Sequence, residues 1–209
     1  SLLLLLTALI TGPILKNYFK KSTSEEIYFF ILFLLSLSFE AVRTEHLLLF
    51  LYNQPAYYGT LITRVVYFGR IFGALALLVS GLFATGFTYQ KYGLFVGVII
   101  LISIAFAGTI PVDSTTLRPQ LLYKIGNSSV VWTGLLAIKM IAIINYLFAG
   151  YLKNNDEYVL MGLSLLGIII GQELILNFLS LPIIFLGAVC IAVGSVVFSN
   201  RIHSVYMWY

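Results

Sequence analysis

The chain has 209 residues, of which 60% are hydrophobic and 10% charged, and its mean hydropathy is +1.01; a soluble domain is about 45–50% apolar and about 25% charged. That balance excludes a disordered chain, a disulfide scaffold and an ordinary soluble enzyme, and the continuous apolar runs lack the alternation of a β-barrel. What remains is an all-α polytopic membrane protein, in which the net charge of +4 belongs to basic loops that face lipid headgroups rather than to a nucleic-acid surface.

A span requires about 17–25 predominantly apolar residues, and seven runs are candidates in a single transmembrane domain covering 1–209. The first, 2–18, is interrupted by Gly12-Pro13 and closed by Lys16, Lys20 and Lys21; with no basic stretch before it and no small-residue cleavage site after it, it reads as a span rather than a signal peptide. The second, 27–52, ends at Asn53-Gln54-Pro55, and its far part carries Glu40, Arg43, Glu45 and His46. It therefore leaves the bilayer near Arg43 or continues as an interfacial turn. The third, 57–87, is long enough to tilt, and the fourth, 92–110, stops at Pro111. Residues 111–128 then form the one long polar loop. The fifth span is 129–151 and the sixth 158–179. Pro182 opens the seventh, 183–198, which ends at Ser199-Asn200-Arg201.

Orientation follows from Lys and Arg in the short loops. The odd loops and the C-terminal end hold Lys16, Lys20, Lys21, Lys91, Lys153 and Arg201, while the even loops hold Arg43, Arg118 and Lys124. The excess places the odd loops and the C-terminus in the cytoplasm and the N-terminus outside, as in a multi-pass protein of a bacterial inner membrane. Tyr206, Trp208 and Tyr209 read as an interfacial anchor. The pairs Gly69/Gly73, Gly93/Gly97 and Gly167/Gly171 have the spacing that lets helices approach closely, within one bundle or across a homodimer.

Charge inside the spans is the informative feature, because an ionised side chain at mid-bilayer costs about 2.5–3.5 kcal/mol on insertion scales and needs a partner or a wet cavity. Glu40, Arg64, Arg70, Lys139 and Glu173 are such residues. At about 1.5 Å per residue they lie from mid-bilayer outward on four helices. One reading is structural: Glu40 pairs with Arg70 or Arg64, and Lys139 with Glu173. The other is an outward-opening polar cavity whose surplus positive charge favours a small anionic ligand. Gln172 and Asn177 flank Glu173, and Trp132 and Tyr67 are candidate walls.

Other chemistry is poorly supplied. The single Cys190 offers neither a disulfide nor a zinc site, and HExxH, GxSxG and P-loop patterns are absent. No metal, cofactor or catalytic residue is expected. Lys139 suggests a retinal Schiff base, but rhodopsins carry that lysine in their last helix. Glu45-His46 at the outer rim invites acid–base work on a lipid headgroup, with nothing beside it to complete a site.

Seven spans with these termini, ending in Ser199-Asn200-Arg201-Ile202-His203-Ser204-Val205-Tyr206, resemble the membrane region of bacterial seven-transmembrane receptors with diverse intracellular signalling modules. The stretch Phe30–Glu40, FILFLLSLSFE, is also similar to multi-pass proteins of spirochaete type. The receptor resemblance implies an extracellular sensory domain before the spans and a kinase, cyclase or phosphatase domain after them; neither lies within these 209 residues. The resulting expectation is a non-enzymatic sensor that binds a ligand in the outer-half cavity and repacks its helices, in contact with membrane lipids and with a cytoplasmic effector or a second copy. A transporter or substrate-binding transport subunit is the alternative, and an intramembrane lipid-modifying enzyme a further one.

Overall fold

The computed structural model describes residues 24–52, 55–87, 91–118, 120–178 and 180–207. The first expected span, 2–18, lies outside them. Six helices among the described residues are long and apolar enough to cross a membrane, as a multi-pass membrane protein requires.

The chain enters α1 (Glu25–Ser36) through Ser24, whose hydroxyl accepts from the Ile27 amide, with Glu25 and Glu26 in the first turn. That is the side-chain cap and acidic start that a helix N-terminus favours. From Leu37 to Thr44 the helix tightens to 3-10 geometry, and α2 (Glu45–Leu51) follows. The expected second span is therefore one apolar helix with a tightened polar end and a short appended helix. Pro55 caps α3 (Ala56–Ala84), and α4 spans Tyr92–Thr109. The last three helices are α5 (Ser128–Lys153), α6 (Asp156–Asn177) and α7 (Leu181–Met207). Asn154 closes α5 in the left-handed conformation, and the Asn155 side chain caps α6 by accepting from the Glu157 amide.

Two expectations are corrected here. The polar loop 111–128 contains an antiparallel hairpin, β1 (Val112–Leu117) paired with β2 (Tyr123–Ile125). Its polar residues face out while Leu122 and Ile125 are buried, so one side of it is committed to packing. In addition, the last helix does not stop near Phe198 but runs on to Met207. Ser199, Asn200 and Arg201 supply polarity without breaking the helix, since an α-helix satisfies its own backbone on either side of a bilayer boundary; Pro182 is tolerated because it lies in the first turn.

α3 is the hub, packed against α1, α4 and α5, with α6 bridging α5 and α7. One continuous core cluster joins α1, α3, α5, α6 and α7. Within it the tilted rings of Phe30 and Phe198 have centroids 4.0 Å apart, and Tyr146 meets Phe198 edge-on at 5.7 Å. α4 sits outside this five-helix group, packed on α3 through Phe83, Phe95 and Ile99. Small residues set the closest approaches. A Cβ on Gly171 would lie 2.6 Å from the Gly187 carbonyl oxygen, and one on Gly69 would lie 2.5 Å from Phe39 Cβ. Gly93, Gly97 and Gly167 have nothing within 4 Å. The expected close packing thus holds at Gly69, Gly73 and Gly171 and does not occur at Gly93, Gly97 and Gly167.

The hairpin is fastened over the ends of α3, α4 and α5. Ile125 belongs to one buried cluster with Tyr67, Ile71, Ala107 and Ile110. The Tyr123 amide donates to Thr63 Oγ1 at 3.2 Å, and the Gly126 amide to the Pro111 carbonyl at 2.9 Å. His46 on α2 closes the same end: its Nε2 donates to the Gly59 carbonyl at 3.0 Å and its ring lies edge-on to Tyr123. Burial pushes the His46 imidazole below its usual pKa. On the hairpin's outer edge the Thr115 hydroxyl and amide, with the Thr116 hydroxyl, hold the Asp113 carboxyl below the usual carboxylate range.

Candidate ligand-binding cavity

Beneath the hairpin is a cavity of about 270 Å³, lined among others by Tyr67 and Arg70 of α3, Arg118 and Gln120 of the hairpin, Trp132 and Lys139 of α5, and Glu173 and Asn177 of α6. Arg118 and Gln120 stand at its hairpin edge. Lys139 lies about 16 Å along α5 from Ser128, and Arg70 about 21 Å along α3 from Ala56, so the cavity reaches from the helix ends to mid-span.

Two ion-pair networks build its walls. In the first, Arg70 meets Glu40 in a two-pronged pair, Nε to Oε1 at 2.5 Å and Nη2 to Oε2 at 3.1 Å. Glu40 is 2% exposed and Arg70 15%. The tightened 3-10 segment presents Glu40, with Arg43 one turn on at 3.7 Å from the same carboxylate. The fork of a guanidinium matches a carboxylate along both edges. Its far side lies over the Tyr67 ring, 5.0 Å from the centroid.

In the second network Lys139 Nζ donates to Gln172 Oε1 and Glu173 Oε1, each at 2.9 Å. Glu173 Oε2 accepts from Trp132 Nε1 at 2.9 Å and from Asn177 Nδ2 at 3.0 Å. Both Glu173 oxygens thus accept from donors on α5 and α6. The two networks also feel one another, since Arg70 lies within electrostatic reach of both Glu173 and Lys139.

The residues singled out from sequence divide accordingly. Glu40, Arg70, Lys139, Gln172, Glu173 and Asn177 converge on this one region, and Trp132 and Tyr67 are walls as expected. Arg64 does not line the cavity; its Nε is buried without a hydrogen-bond partner among the described residues. Six residues separate it from Arg70, about 240° around the helix, which turns it to another face. Arg118 was counted from sequence only as a loop charge. Its guanidinium donates to Ser128 Oγ at 2.8 Å at the cavity edge and has no carboxylate partner among the described residues. The signal available for it was position alone, beside the Thr-rich VDSTTL run whose β-branched residues favour a strand.

Three cations and one carboxylate therefore face the cavity. The lining itself therefore carries a formal excess of two positive charges, with Glu40 and Arg43 behind Arg70 cancelling one another, and Arg118 is the cation with no anionic partner among the described residues. The lining presents guanidinium, ammonium, amide and hydroxyl donors to the cavity. Among the described residues no cluster of three or more His, Cys, Asp or Glu has the arrangement to hold a metal ion.

Comparison with curated proteins finds a similarity to a protein of Treponema pallidum (strain Nichols) described as uncharacterized, 34% identical over 101 residues. The match takes in 46% of this chain and 29% of that protein, so the chain spans less than a third of its relative's length. No family model and no solved structure matches.

Proposed function

We propose that this protein is a membrane sensor or receptor module whose hairpin-capped cavity binds a small anionic ligand and passes its occupancy to the helices around it. The observation that carries the reading is Arg118, a cation without a carboxylate partner among the described residues, at the edge of a cavity already lined by Arg70 and Lys139. The Lys and Arg bias of the loops supports an orientation in which the hairpin and the cavity mouth face the outer side of the membrane and the end of α7 faces the cytoplasm. A ligand that engages Lys139, Trp132 and Arg70 touches α3 and α5 at once. Different affinity for two arrangements of those helices is all that a signal requires, and the long α7, packed along α6, carries the change toward a cytoplasmic effector.

Transport is the second reading, favoured by the depth of Lys139. The core beneath it is filled by Tyr146 and Phe198, both fully buried, which supports a blind binding pocket over an open path. The test is a titration of the detergent-purified protein with phosphate, sulfate and a dicarboxylate, read by Trp132 fluorescence in a Trp208→Phe background. At least one anion shifts the emission saturably, and Lys139→Met weakens its binding about tenfold to a hundredfold, the worth of a charge-assisted hydrogen bond. Glu173 keeps Trp132 and Asn177 as donors in that variant, and circular dichroism of the ligand-free variant reports its fold. No saturable shift with any anion refutes the reading. Uptake of the bound anion into proteoliposomes would convert it to transport.

A further inference from the structure

A second hollow adjoins the first. Between α5 and α6 runs a groove of about 220 Å³ whose wall is Leu136, Met140 and Ile143 on one side and Leu166, Ile169, Ile170 and Leu174 on the other. It ends at Glu173 and Asn177, the two residues that also line the cationic cavity. The three α5 residues follow a spacing of four and three, a single helical stripe, and the groove extends about 10 Å along the helices from the Glu173 level. Met140 and Ile170 are 40% and 47% exposed at its surface, so it opens sideways, toward the hydrocarbon that surrounds a spanning bundle.

We infer that the ligand of the cationic cavity is a single-chain amphiphile with an anionic phosphate headgroup, the headgroup held by Arg118, Arg70 and Lys139 and the acyl chain laid in the α5–α6 groove. This rests on the anion-binding reading proposed above and names its ligand class. A soluble anion has no use for an apolar trough joined to its site, whereas a lipid enters sideways from the membrane with its chain already in an apolar medium. Charge complementarity selects the headgroup. The one carboxylate at the junction, Glu173, has its charge met by Lys139, Trp132 and Asn177, which leaves Arg118 to meet the phosphate. Asn177 at the junction reaches both compartments.

The experiment compares three probes on the full chain in neutral detergent, in the Trp208→Phe background with Trp132 as reporter: glycerol 3-phosphate, a lysophosphatidate, and the monoacylglycerol of the same chain. Affinities are referred to the free monomeric probe in water, for which each methylene seated in the groove is worth about fourfold. The lysophosphatidate therefore binds at least about tenfold tighter than glycerol 3-phosphate, and the uncharged monoacylglycerol binds more weakly than the lysophosphatidate. Met140→Phe/Ile170→Phe, which fills the groove, removes the chain's advantage and leaves glycerol 3-phosphate binding unchanged, a result that also reports folding of the variant; should the variant misfold, the three-probe comparison on the unfilled groove still decides. Equal affinity for glycerol 3-phosphate and lysophosphatidate overturns the amphiphile and leaves the anion site standing. Equal binding of monoacylglycerol and lysophosphatidate overturns it by showing that charge is not read. No binding of any probe removes this inference, and failure of the small-anion titration as well removes the reading beneath it.

Discussion

Arg70→Met is the most informative single change, because it removes one half of a pair whose other half stays buried. Glu40 is 2% exposed and receives two charge-assisted hydrogen bonds from Arg70, at 2.5 and 3.1 Å. In the variant its Oε1 loses its donor, while Oε2 keeps Arg43 at 3.7 Å. Breaking a buried pair from one side costs about 3–5 kcal/mol; the residual Arg43 contact puts this case near the lower figure, about 3 kcal/mol. In a chain of this size that corresponds to a fall in Tm of about 6–12 °C. The assay is SDS-induced unfolding in mixed micelles followed by circular dichroism, with thermal melts beside it. Glu40→Gln/Arg70→Met is less destabilised than Arg70→Met alone, because the double change removes the stranded charge and leaves an amide oxygen for Arg43. A loss below about 1 kcal/mol in the single variant, the value for a solvated pair, would refute the claim that Glu40 is desolvated. So would a double variant that loses the sum of two independent effects.

Three further outcomes follow from the packing. Gly171→Ala sets a Cβ against the Gly187 carbonyl oxygen and costs about 1–3 kcal/mol, while Gly97→Ala, with nothing within 4 Å, is neutral or gains up to about 1 kcal/mol from helix propensity; paired unfolding curves distinguish them. Tyr146→Phe removes the hydroxyl that donates to Ser80 Oγ at 2.6 Å, while Ser80 keeps its bond to the Glu26 carbonyl, so the loss by the same unfolding assay is about 0.5–1.5 kcal/mol. His46 makes stability pH-dependent. Burial lowers its pKa in the folded state, so the unfolded chain takes the proton more readily. The contribution is fully present above about pH 6.5 and is lost as pH falls through the lower folded value. Melts across roughly pH 7.5 to 5 show a decline that flattens in His46→Gln, which retains a donor for the Gly59 carbonyl.

Much of the bundle was legible because lipid is a demanding solvent. Six apolar runs of spanning length became six helices, and the ionisable residues inside them had to find one another, which is why Lys139 could be paired with Glu173 from sequence and the partner of Glu40 narrowed to Arg70 or Arg64. What the residues did not disclose was set by geometry rather than by composition. Arg64 and Arg70 carry equal charge on one helix, and only their angular separation decides that Arg70 faces Glu40. The hairpin was hidden because its strands are short and polar, and its fastening depends on Leu122, Ile125 and Tyr123 meeting distant partners. With the hairpin hidden, Arg118 read as a loop charge. Ser199-Asn200-Arg201 looked like a helix stop, yet Arg201 continues the helix and lies 3.3 Å from Glu157 on α6. The polar contacts of Tyr206 with Glu26, and of Tyr146 with Ser80, join residues far apart in sequence that carry no local pattern.

Reaction of one cysteine with charged reagents tests most directly that the cavity is wet and electropositive. Ser129→Cys, in a Cys190→Ala background, sets a thiol on the cavity lining. An anionic methanethiosulfonate reagent then modifies it faster than a cationic one of the same size, and Arg118→Gln lowers that ratio. Equal rates, or faster reaction with the cationic reagent, would contradict the account.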